Sequence, residues 1–572
     1  MTHPPTRSQT FFNEDGVAGL THRAFTAAMG YDSADMARPL IGIGNTWSEL
    51  NNCNAHLRQL AEAVKRGVLQ AGGLPLEFPT ISLGEIYLSP TSMLYRNLAA
   101  MDTEEMIRGN PLDGVVLLTN CDKTTPAALM GAASADIPTI MLSGGPMLNG
   151  HYQGEILGAC TDCRRYTAEF QAGAITAETY RAVEENLVRS AGHCMVMGTA
   201  STMNSLMEAL GIALPGNGAI PAADSRRTRL AQAAGRQIVE LVNADIRPSQ
   251  ILTPEAFDNA IRLLHALGGS TNAVVHLPAI AGRAGVDLPL SRFDELSRTT
   301  PLIADMRPTG QYQMEDLFYA GGIPAVLKRL LPLLNGDALT VTGLTLAENV
   351  ASAEVSNSKI IRSLDEPLSA EGGLSVLRGN LAPDGAVIKH AAATPELLTH
   401  SGPALVFKDL ADLKARIHDP ALDVTKDHVL VLQNAGPVGG PGMPEVGNLP
   451  IPQKLLKQGL RDMVRISDGR MSGTSYGTIV LHVAPEAALG GPLALVQDGD
   501  TIELNVPERR LHLHVSDEVL ATRRASWSAP PPAFGRGYGQ MYLRHVQQAP
   551  LGCDFDFLRG RDPVAVAEQP KF

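Results

Sequence analysis

Apolar residues in the first half of the chain follow helical spacing in some stretches and strand spacing in others. Residues 54–71 predict a helix with one apolar face, formed by Leu57, Leu60, Ala61, Val64 and Val68. Residues 115–119 predict a buried strand, a helix with Pro126 in its first turn follows, and residues 138–143 predict a second strand. This order predicts a parallel βαβ unit, and such units bind ligands at the carboxyl ends of their strands.

After about residue 370 the pattern changes to short alternating runs separated by Gly, Pro and Asp turns. The predicted strands are residues 404–407, 429–433, 478–483, 493–496, 501–506 and 511–515. His512 and His514 alternate with apolar neighbours and are therefore predicted to lie on the solvated face of the last strand. The sequence thus predicts the α/β fold class, with a large N-terminal α/β domain of parallel βαβ units (1–370) and a smaller β-rich C-terminal domain (371–572).

Length and charge narrow the class of protein. The chain has 572 residues, which at about 150 residues per domain corresponds to roughly two to four domains. Lys and Arg number 47 against 59 Asp and Glu, and the net charge of −12 argues against a nucleic-acid binder, which needs a basic surface. The first residues are polar and no run of ~18 apolar residues occurs, so we expect neither a leader nor a membrane partner. These features predict a cytoplasmic enzyme.

Six cysteines are too sparse for a disulfide framework in a chain without secretion signals. Cys160 and Cys163 form a single CxxC, which is either a redox pair or a chance spacing, and we interpret it as chance. Cys53, Cys121 and Cys194 each border a predicted element. The helix predicted after Cys194 has a stripe typical of a packed core, Met203, Leu206, Met207 and Leu210. Buried, inert thiols are the simplest interpretation of such cysteines, and their neighbours decide whether they have another role.

Three loops concentrate groups that can carry chemistry, while neither a GxxxxGK[ST] loop nor a dinucleotide-binding glycine pattern occurs. Cys121-Asp122-Lys123 places a thiol, a carboxylate and an amine at one strand end, although Asp122 alone could cap a helix. Ser472, in the motif DGRMSG, could be a nucleophile, a base or simply a turn residue. Glu445, in a Gly- and Pro-rich loop, would in isolation be an ordinary surface charge.

Together these loops resemble the dihydroxy-acid/sugar-acid dehydratase family. The likeness runs from about Arg38 to Phe557 and rests on motifs at residues 45–54, 121–131, 144–147, 198–203, 268–272 and 467–473. Pro90-Thr91 and Tyr95-Arg96-Asn97 are similar to the sugar-acid branch, which includes L-arabinonate and D-xylonate dehydratases. Apolar residues on both sides of Glu85 depart from that branch and would widen tolerance toward short or alkyl-bearing dihydroxy acids.

The resemblance implies an iron–sulfur enzyme that also binds Mg²⁺. Its cluster, [2Fe–2S] with [4Fe–4S] as the alternative, would be held by Cys53, Cys121 and Cys194. Three cysteine ligands leave one iron open for substrate, as a Lewis acid requires. The resemblance also implies hard oxygen ligands for Mg²⁺ at Glu85, Asp122, Glu445 and a carbamylated Lys123.

The resemblance makes Ser472 the catalytic base, with Lys123 and Thr474 as further catalytic residues. The implied reaction removes water from a 2,3-dihydroxy carboxylic acid, such as a pentonate or another aldonate, and gives the 2-keto-3-deoxy acid. Four alternatives stay open: a branched-chain dihydroxy-acid dehydratase of the 2,3-dihydroxyisovalerate type, a broad-specificity member, a cysteine-dependent enzyme and a non-catalytic iron–sulfur sensor. We expect a small anionic substrate as partner and a homodimer or homotetramer.

Overall fold

Two large sheets organise the chain. The structure, a computed structural model, describes residues 5–560, so the outer ends of the two predicted domains (1–4 and 561–572) lie outside the described residues. A four-stranded parallel sheet lies in the N-terminal part, and a closed eight-stranded barrel lies in the C-terminal part. The predicted fold class, an α/β part followed by a β-rich part, is therefore confirmed.

Helices make up most of the N-terminal part. In chain order the described α-helices are α1 (Arg7–Phe12), α2 (Gly16–Ala28), α3 (Ser33–Met36), α4 (Leu57–Gln70), α5 (Arg96–Gly109), α6 (Thr124–Ala135), α7 (Ala159–Gln171), α8 (Ala177–Leu187), α9 (Thr199–Ala209), α10 (Ser225–Ala244), α11 (Pro248–Ile251), α12 (Pro254–Ala266), α13 (Ala273–Arg283), α14 (Leu290–Arg298), α15 (Met314–Tyr319), α16 (Gly322–Leu330), α17 (Leu346–Val350), α18 (Leu410–Arg416), α19 (Gln453–Lys457), α20 (Asp517–Ser526) and α21 (Gly537–His545). Within the described ranges, no helix combines the length and the apolar composition that crossing a membrane requires.

The N-terminal sheet contains only parallel strands. They are β1 (Leu40–Asn45), β2 (Leu74–Pro79), β3 (Gly114–Thr119) and β4 (Thr139–Ser143), in the order β2-β1-β3-β4. β1 and β3 are buried along their whole length, as central parallel strands covered on both faces should be. Helix α6 joins β3 to its parallel neighbour β4, which confirms the predicted βαβ unit.

The C-terminal strands close on themselves, after a small hairpin of β5 (Gly150–Tyr152) and β6 (Glu155–Leu157) in the N-terminal part. The barrel strands are β7 (Ser375–Gly379), β8 (Ala382–Ile388), β9 (Thr399–Phe407), β10 (Val429–Leu432), β11 (Arg465–Ser467), β12 (Ile479–Ala484), β13 (Thr501–Asn505) and β14 (Arg510–Leu513). β9, β10, β11 and β12 pair in parallel, so the loops after β10 and β11 leave the same edge of the barrel.

Two sequence expectations about the barrel need correction. Residues 493–496 do not form a strand, because Pro492 fixes a helical φ angle and opens a 3₁₀ turn over Pro492–Leu495. β7, β8 and β11 are strands that the sequence pattern did not indicate. β8 contains Pro-Asp-Gly, which is typical of a turn, and β11 has only 3 residues. The boundary at residue 370 stays a prediction.

The alternation in β14 agrees with its prediction. Leu511 and Leu513 are buried, whereas His512 is half-buried and His514 is exposed. This pattern places the two imidazoles on the outer face of the barrel and gives them no part in the candidate site.

Candidate active site

The predicted site residues lie on loops that follow parallel strands. The loops after β1, β2, β3, β10 and β11 carry, in that order, Cys53, Glu85, Cys121 to Lys123, Glu445 and Ser472. The carboxyl edge of the N-terminal sheet faces the carboxyl edge of the barrel, because Lys123 Nζ lies 3.4 Å from Glu445 Oε1. Two sets of strand ends therefore meet at one site, as is usual for ligand sites in parallel sheets.

Lys123 is a buried ammonium group among the three predicted metal ligands. Its Nζ lies 3.0 Å from Glu85 Oε2 and 3.4 Å from Glu445 Oε1. Asp122 Oδ2 lies 3.6 Å from the same nitrogen. The Lys123 side chain is 0 % exposed, so its charge depends on these carboxylates for compensation. The structure thus brings all four residues of the predicted Mg²⁺ site to one point.

The pKa values of these groups reflect their burial and their mutual charges. Burial raises the pKa of Asp122 to about 6, and Glu85 and Glu445 add to this against the attraction of Lys123. Burial also opposes ionisation of Glu445, but the neighbouring cations Lys123 and Arg470 outweigh it and lower the pKa of Glu445 to about 2. For Lys123, the carboxylates outweigh burial and raise its pKa above the ordinary value.

Glu445 is fixed by two further side chains. Arg470 Nη1 donates to Glu445 Oε1 at 2.9 Å, and Asn272 Nδ2 donates to the same oxygen at 2.9 Å. Arg470 is fully buried and its Nε donates to the Met443 carbonyl at 2.8 Å. Both residues stand inside the motifs that carry the family resemblance, but sequence reasoning assigned neither of them a role.

Glu85 Oε2, which faces Lys123, also accepts a hydrogen bond from the Ser92 hydroxyl. The nearby Arg96 and Asn97, which suggest the sugar-acid branch, are buried. Arg96 Nη2 donates to the Gly552 carbonyl at 2.8 Å, and Asn97 Nδ2 donates to the Cys553 carbonyl at 2.9 Å. These two branch residues therefore tie α5 to the C-terminal segment.

Cys53, Cys121 and Cys194 lie close enough together to perturb one another. The Cys53 thiol hydrogen-bonds with Cys121, and this contact together with burial and the charges of Cys121 and Cys194 raises the pKa of Cys53 well above its ordinary value. The pKa of Cys194 is raised well above its ordinary value as well, by a hydrogen bond with Cys160 and by burial. Thiols packed this closely lose their protons together only when a bound cation compensates the charge.

The backbone around the first two thiols is held by asparagines. Asn54 Oδ1 accepts from the backbone N–H of Cys121 at 3.2 Å, and Asn120 Nδ2 donates to the Cys53 carbonyl at 2.8 Å. Asn54 and Asn120 are fully buried. The loops after β1 and β3 are thereby joined, which fixes the spacing of the two cysteines.

Cys160 contributes a fourth thiol to this cluster. It stands in the first turn of α7, beside Cys194, with which its thiol hydrogen-bonds. Cys163, three residues further along the same helix, is exposed. The hydrogen-bonding partner of Cys160 is therefore not Cys163, the other cysteine of the CxxC motif. It is Cys194, which lies on another loop.

Ser472 lies in a loop anchored by hydroxyl groups and by α7. Its Oγ lies 2.9 Å from Thr474 Oγ1. Arg164 Nη1 donates to Thr474 Oγ1 at 3.4 Å and to Ser475 Oγ at 2.5 Å, and Thr161 Oγ1 donates to the Thr474 carbonyl at 3.3 Å. Helix α7 thus links the thiol cluster to the serine loop. Sequence reasoning missed Arg164 and Thr161, and only their position next to the CxxC could have drawn attention to them.

Comparison with known proteins identifies the family. The N-terminal and C-terminal models of the dihydroxy-acid/6-phosphogluconate dehydratases match residues 38–349 and 359–553. The chain belongs to this family. It is therefore an enzyme of the dehydratase type, a hydro-lyase, and a non-catalytic sensor is no longer an alternative.

Relatives of this dehydratase match it over almost their whole length. An L-arabonate dehydratase from Azospirillum brasilense is 54 % identical, with 98 % of each chain covered. A 6-deoxy-6-sulfo-D-gluconate dehydratase from Pseudomonas putida is 50 % identical, covering 99 % of this chain and 98 % of the relative. A dihydroxy-acid dehydratase from Caldanaerobacter subterraneus subsp. tengcongensis is 44 % identical, covering 94 % and 98 %.

The donor groups of this dehydratase suit the two cofactors that the family resemblance implies. Carboxylate oxygens are the ligands that Mg²⁺ prefers, and cysteine thiolates hold iron–sulfur clusters. Within residues 5–560 no three His, Cys, Asp or Glu side chains are arranged to hold a metal ion as they stand. The Lys123 ammonium lies where the carboxylates converge. Carbamylation of Lys123 would replace that cation with an oxygen ligand, so the residues present fit Mg²⁺ once the lysine is modified.

Proposed function

We propose that this enzyme removes water from a sugar acid, a pentonate of the L-arabinonate type, and forms the 2-keto-3-deoxy acid. The observation that carries the proposal is the convergence of Glu85, Asp122 and Glu445 on Lys123, beside the loop of Ser472. Greater identity to the L-arabonate dehydratase (54 %) than to the dihydroxy-acid dehydratase (44 %) supports a sugar acid over a branched-chain substrate.

Two groups of residues would hold the cofactors. Glu85, Asp122, Glu445 and carbamylated Lys123 would bind Mg²⁺, and Cys53, Cys121 and Cys194 would bind the cluster, [2Fe–2S] with [4Fe–4S] as the alternative. When bound, these groups supply Lewis-acid chemistry for the substrate carboxylate, the 2-hydroxyl and the departing 3-hydroxyl.

Ser472 is suited to remove the proton from C2. A free serine hydroxyl is too weak a base, and its alkoxide needs nearby positive charge. The Arg164 guanidinium supplies such charge through Thr474, whose hydroxyl lies 2.9 Å from Ser472 Oγ. Thr474 can donate its hydrogen to the alkoxide and so keep Oγ directed at the substrate.

The reaction balances without an oxidant or reductant. The C2–H bond breaks and its proton passes to Ser472 Oγ, while the C3–O bond breaks and the hydroxyl leaves as water after taking up a proton. The enol that results loses the proton of its C2 hydroxyl, gains a proton at C3 and becomes the 2-keto acid. Arg470 stays beside Glu445 throughout and offsets the negative charge that develops at the carboxylate end of the substrate.

A substrate comparison tests this function. Anaerobically purified protein is assayed for keto-acid formation with L-arabinonate, D-gluconate and 2,3-dihydroxyisovalerate, and iron and sulfide are determined on the same sample. We expect kcat/KM for L-arabinonate to exceed that for 2,3-dihydroxyisovalerate by at least ~10-fold. The reverse preference contradicts the sugar-acid assignment, and an active preparation without iron contradicts the cluster.

A further inference from the structure

The first turn of α7 is clamped between the two halves of the site. The backbone N–H of Ala159 lies 3.0 Å from Met195 Sδ, on the loop that carries Cys194. Two residues further on, Thr161 Oγ1 donates to the Thr474 carbonyl at 3.3 Å. Cys160 lies between these two anchors, and Cys194 packs against Ala159 and Met195, which places residues 160 and 194 next to each other.

Four cysteines therefore lie near one another. Cys121 is the main cause of the raised pKa of Cys53, and Cys160 is the main cause of the raised pKa of Cys194. The contact of the Ala159 N–H with Met195 Sδ independently places residue 160 next to residue 194. Three of these thiols have a role in the proposed function as cluster ligands, and Cys160 has none. Cys160 and Cys194 are half-buried, as is Cys53, whereas Cys121 is buried.

We propose that Cys160 and Cys194 form a disulfide when the site holds no cluster, and that this bond stores Cys194 in a reversible form. The inference rests on the proposed function only in that Cys194 is taken as a cluster ligand. It assigns Cys160 the role of a resolving thiol.

The chemistry needs a peroxide as oxidant. One thiol attacks the peroxide O–O bond, becomes a sulfenic acid and releases one water. The second thiol then attacks the sulfenic sulfur, the S–S bond forms and a second water leaves. Two electrons pass from the sulfurs to the peroxide. Without a resolving thiol, the sulfenic acid of Cys194 can oxidise further to a sulfinic acid that thiols do not reduce.

Peptide mapping tests the bond directly. Full-length protein is freed of its cluster by chelation without oxygen, treated with an equimolar amount of hydrogen peroxide and cleaved with trypsin without reduction. Cys160 and Cys163 share the tryptic fragment 124–164, while Cys194 lies in 190–226. The variants Cys160→Ser and Cys163→Ser separate the two cysteines of the first fragment, and Cys163→Ser is the matched control because its thiol is exposed on the same helix.

We expect fragments 124–164 and 190–226 to be linked in the wild type and in Cys163→Ser, and unlinked in Cys160→Ser. Linkage confined to fragment 124–164, or only between fragments 24–58 and 109–123 that hold Cys53 and Cys121, overturns the proposal.

Cluster reconstitution with iron and sulfide, read by visible absorbance, tests the consequence. After an excess of peroxide, which supplies the second equivalent that a sulfinic acid requires, we expect wild-type protein to take up the cluster only when dithiothreitol is added, and Cys160→Ser to stay unable to take it up. Equal recovery of the two proteins contradicts the protective role. If wild-type protein that was never oxidised takes up no iron and sulfide, the proposed function fails, while the peptide map still reports on the disulfide.

Discussion

At the residue scale, the net charge around Lys123 would be the same with and without the proposed Mg²⁺ ion. Ionised Glu85, Asp122 and Glu445 face the cations Lys123 and Arg470, which leaves one net negative charge. Carbamylation would turn the lysine into an anion, and a bound Mg²⁺ would then restore the same net charge. Carbamylation together with Mg²⁺ binding would therefore change the ligands in the buried site but not its net charge.

Replacing Ser472 with alanine tests the base. We expect kcat to fall by roughly 10²–10⁴-fold, because the proton acceptor at C2 is lost. The cluster absorbance and the iron content should not change, since the serine loop carries none of the thiols. Thr474→Ser, which retains a hydroxyl beside Ser472, is the control and should keep most of the activity. Wild-type turnover by Ser472→Ala would exclude this base.

Replacing Glu445 with glutamine tests the charge cluster. The amide can still accept the hydrogen bond from Asn272 but leaves Arg470 buried without its anion. Breaking a buried ion pair costs about 3–5 kcal/mol, so we expect an unfolding free energy lower by about this amount. Mg²⁺ affinity, measured by titration calorimetry, should fall as well. Glu396→Gln, at a residue outside the site, is the control; equal effects of the two substitutions would contradict the assignment.

At the element scale, the loop that carries Cys53 is positioned by a close helix crossing. Helix α4, which follows that loop, packs on α10 with glycine at the contact on both sides. A Cβ on Gly67 would stand 2.0 Å from the Gln232 carbonyl oxygen, and a Cβ on Gly235 would stand 2.1 Å from the Val64 carbonyl oxygen. Only glycine permits this approach of the two backbones.

Gly67→Ala should therefore separate α4 from α10. We expect an unfolding free energy lower by about 1–3 kcal/mol or more, because an overpacked contact must shift the backbone. Gly109→Ala is a matched control at the end of α5, where nothing lies within 4 Å of the added Cβ. That control should be neutral or slightly stabilising. Denaturant unfolding measures the stability of both variants. Equal stability would contradict the claim that the contact between α4 and α10 requires glycine at residue 67.

At the scale of the whole molecule, buried histidines and buried acids have opposite effects on how the unfolding free energy depends on pH. Burial lowers the pKa of His193, His265 and His482 to about 3 and that of His390 to about 4. These histidines stabilise the fold above pH ~6.5, and this contribution is lost as the pH falls because the unfolded chain takes up protons. Burial raises the pKa of Glu208 and Asp468 to about 7, so their contribution is lost as the pH rises from ~4 to ~7.

Between about pH 5 and pH 6.5 the buried histidines outweigh the buried acids. The lowered pKa of His276 adds to the first group, and the raised pKa of Asp122 adds to the second. We expect the unfolding free energy to fall by about 2 kcal/mol per pH unit as the pH is lowered through this range. Denaturant titrations at about pH 7.5 and pH 5.5 measure the change. His265→Gln should flatten the dependence, because its imidazole no longer titrates. Higher stability at the lower pH would contradict these pKa shifts.

The chain segment after α21 also connects distant parts of the molecule. Asp554 forms an ion pair with the fully buried Arg283 at 2.6 Å, and the carbonyls of Gly552 and Cys553 accept from Arg96. The end of the described chain thus completes the N-terminal helical core. The oligomeric state and the cytoplasmic location stay predictions.

The sequence by itself determined the elements whose periodicity is local and the chemistry of their loops. The helix at α4 and the β3-α6-β4 unit follow from spacing and residue type near one another in the chain. The roles predicted for Cys121 to Lys123 and for Ser472 come from the family resemblance of their motifs. The barrel strand β8 was not predicted, because its Pro-Asp-Gly sequence is typical of a turn. It forms a strand through its pairing with β7 and β12.

Only the tertiary structure decided which distant groups meet. Lys123 and Glu445 are 322 positions apart, and their contact depends on the docking of the sheet edge against the barrel edge. Asn272 reaches Glu445 through the same docking, whereas Arg470 reaches Glu445 from a neighbouring loop of the barrel. Cys160 pairs with Cys194, not with its CxxC neighbour, because α7 is clamped between two loops. Local pattern encodes the direction and burial of a side chain, whereas its partner across the site is set by packing between elements far apart in the chain.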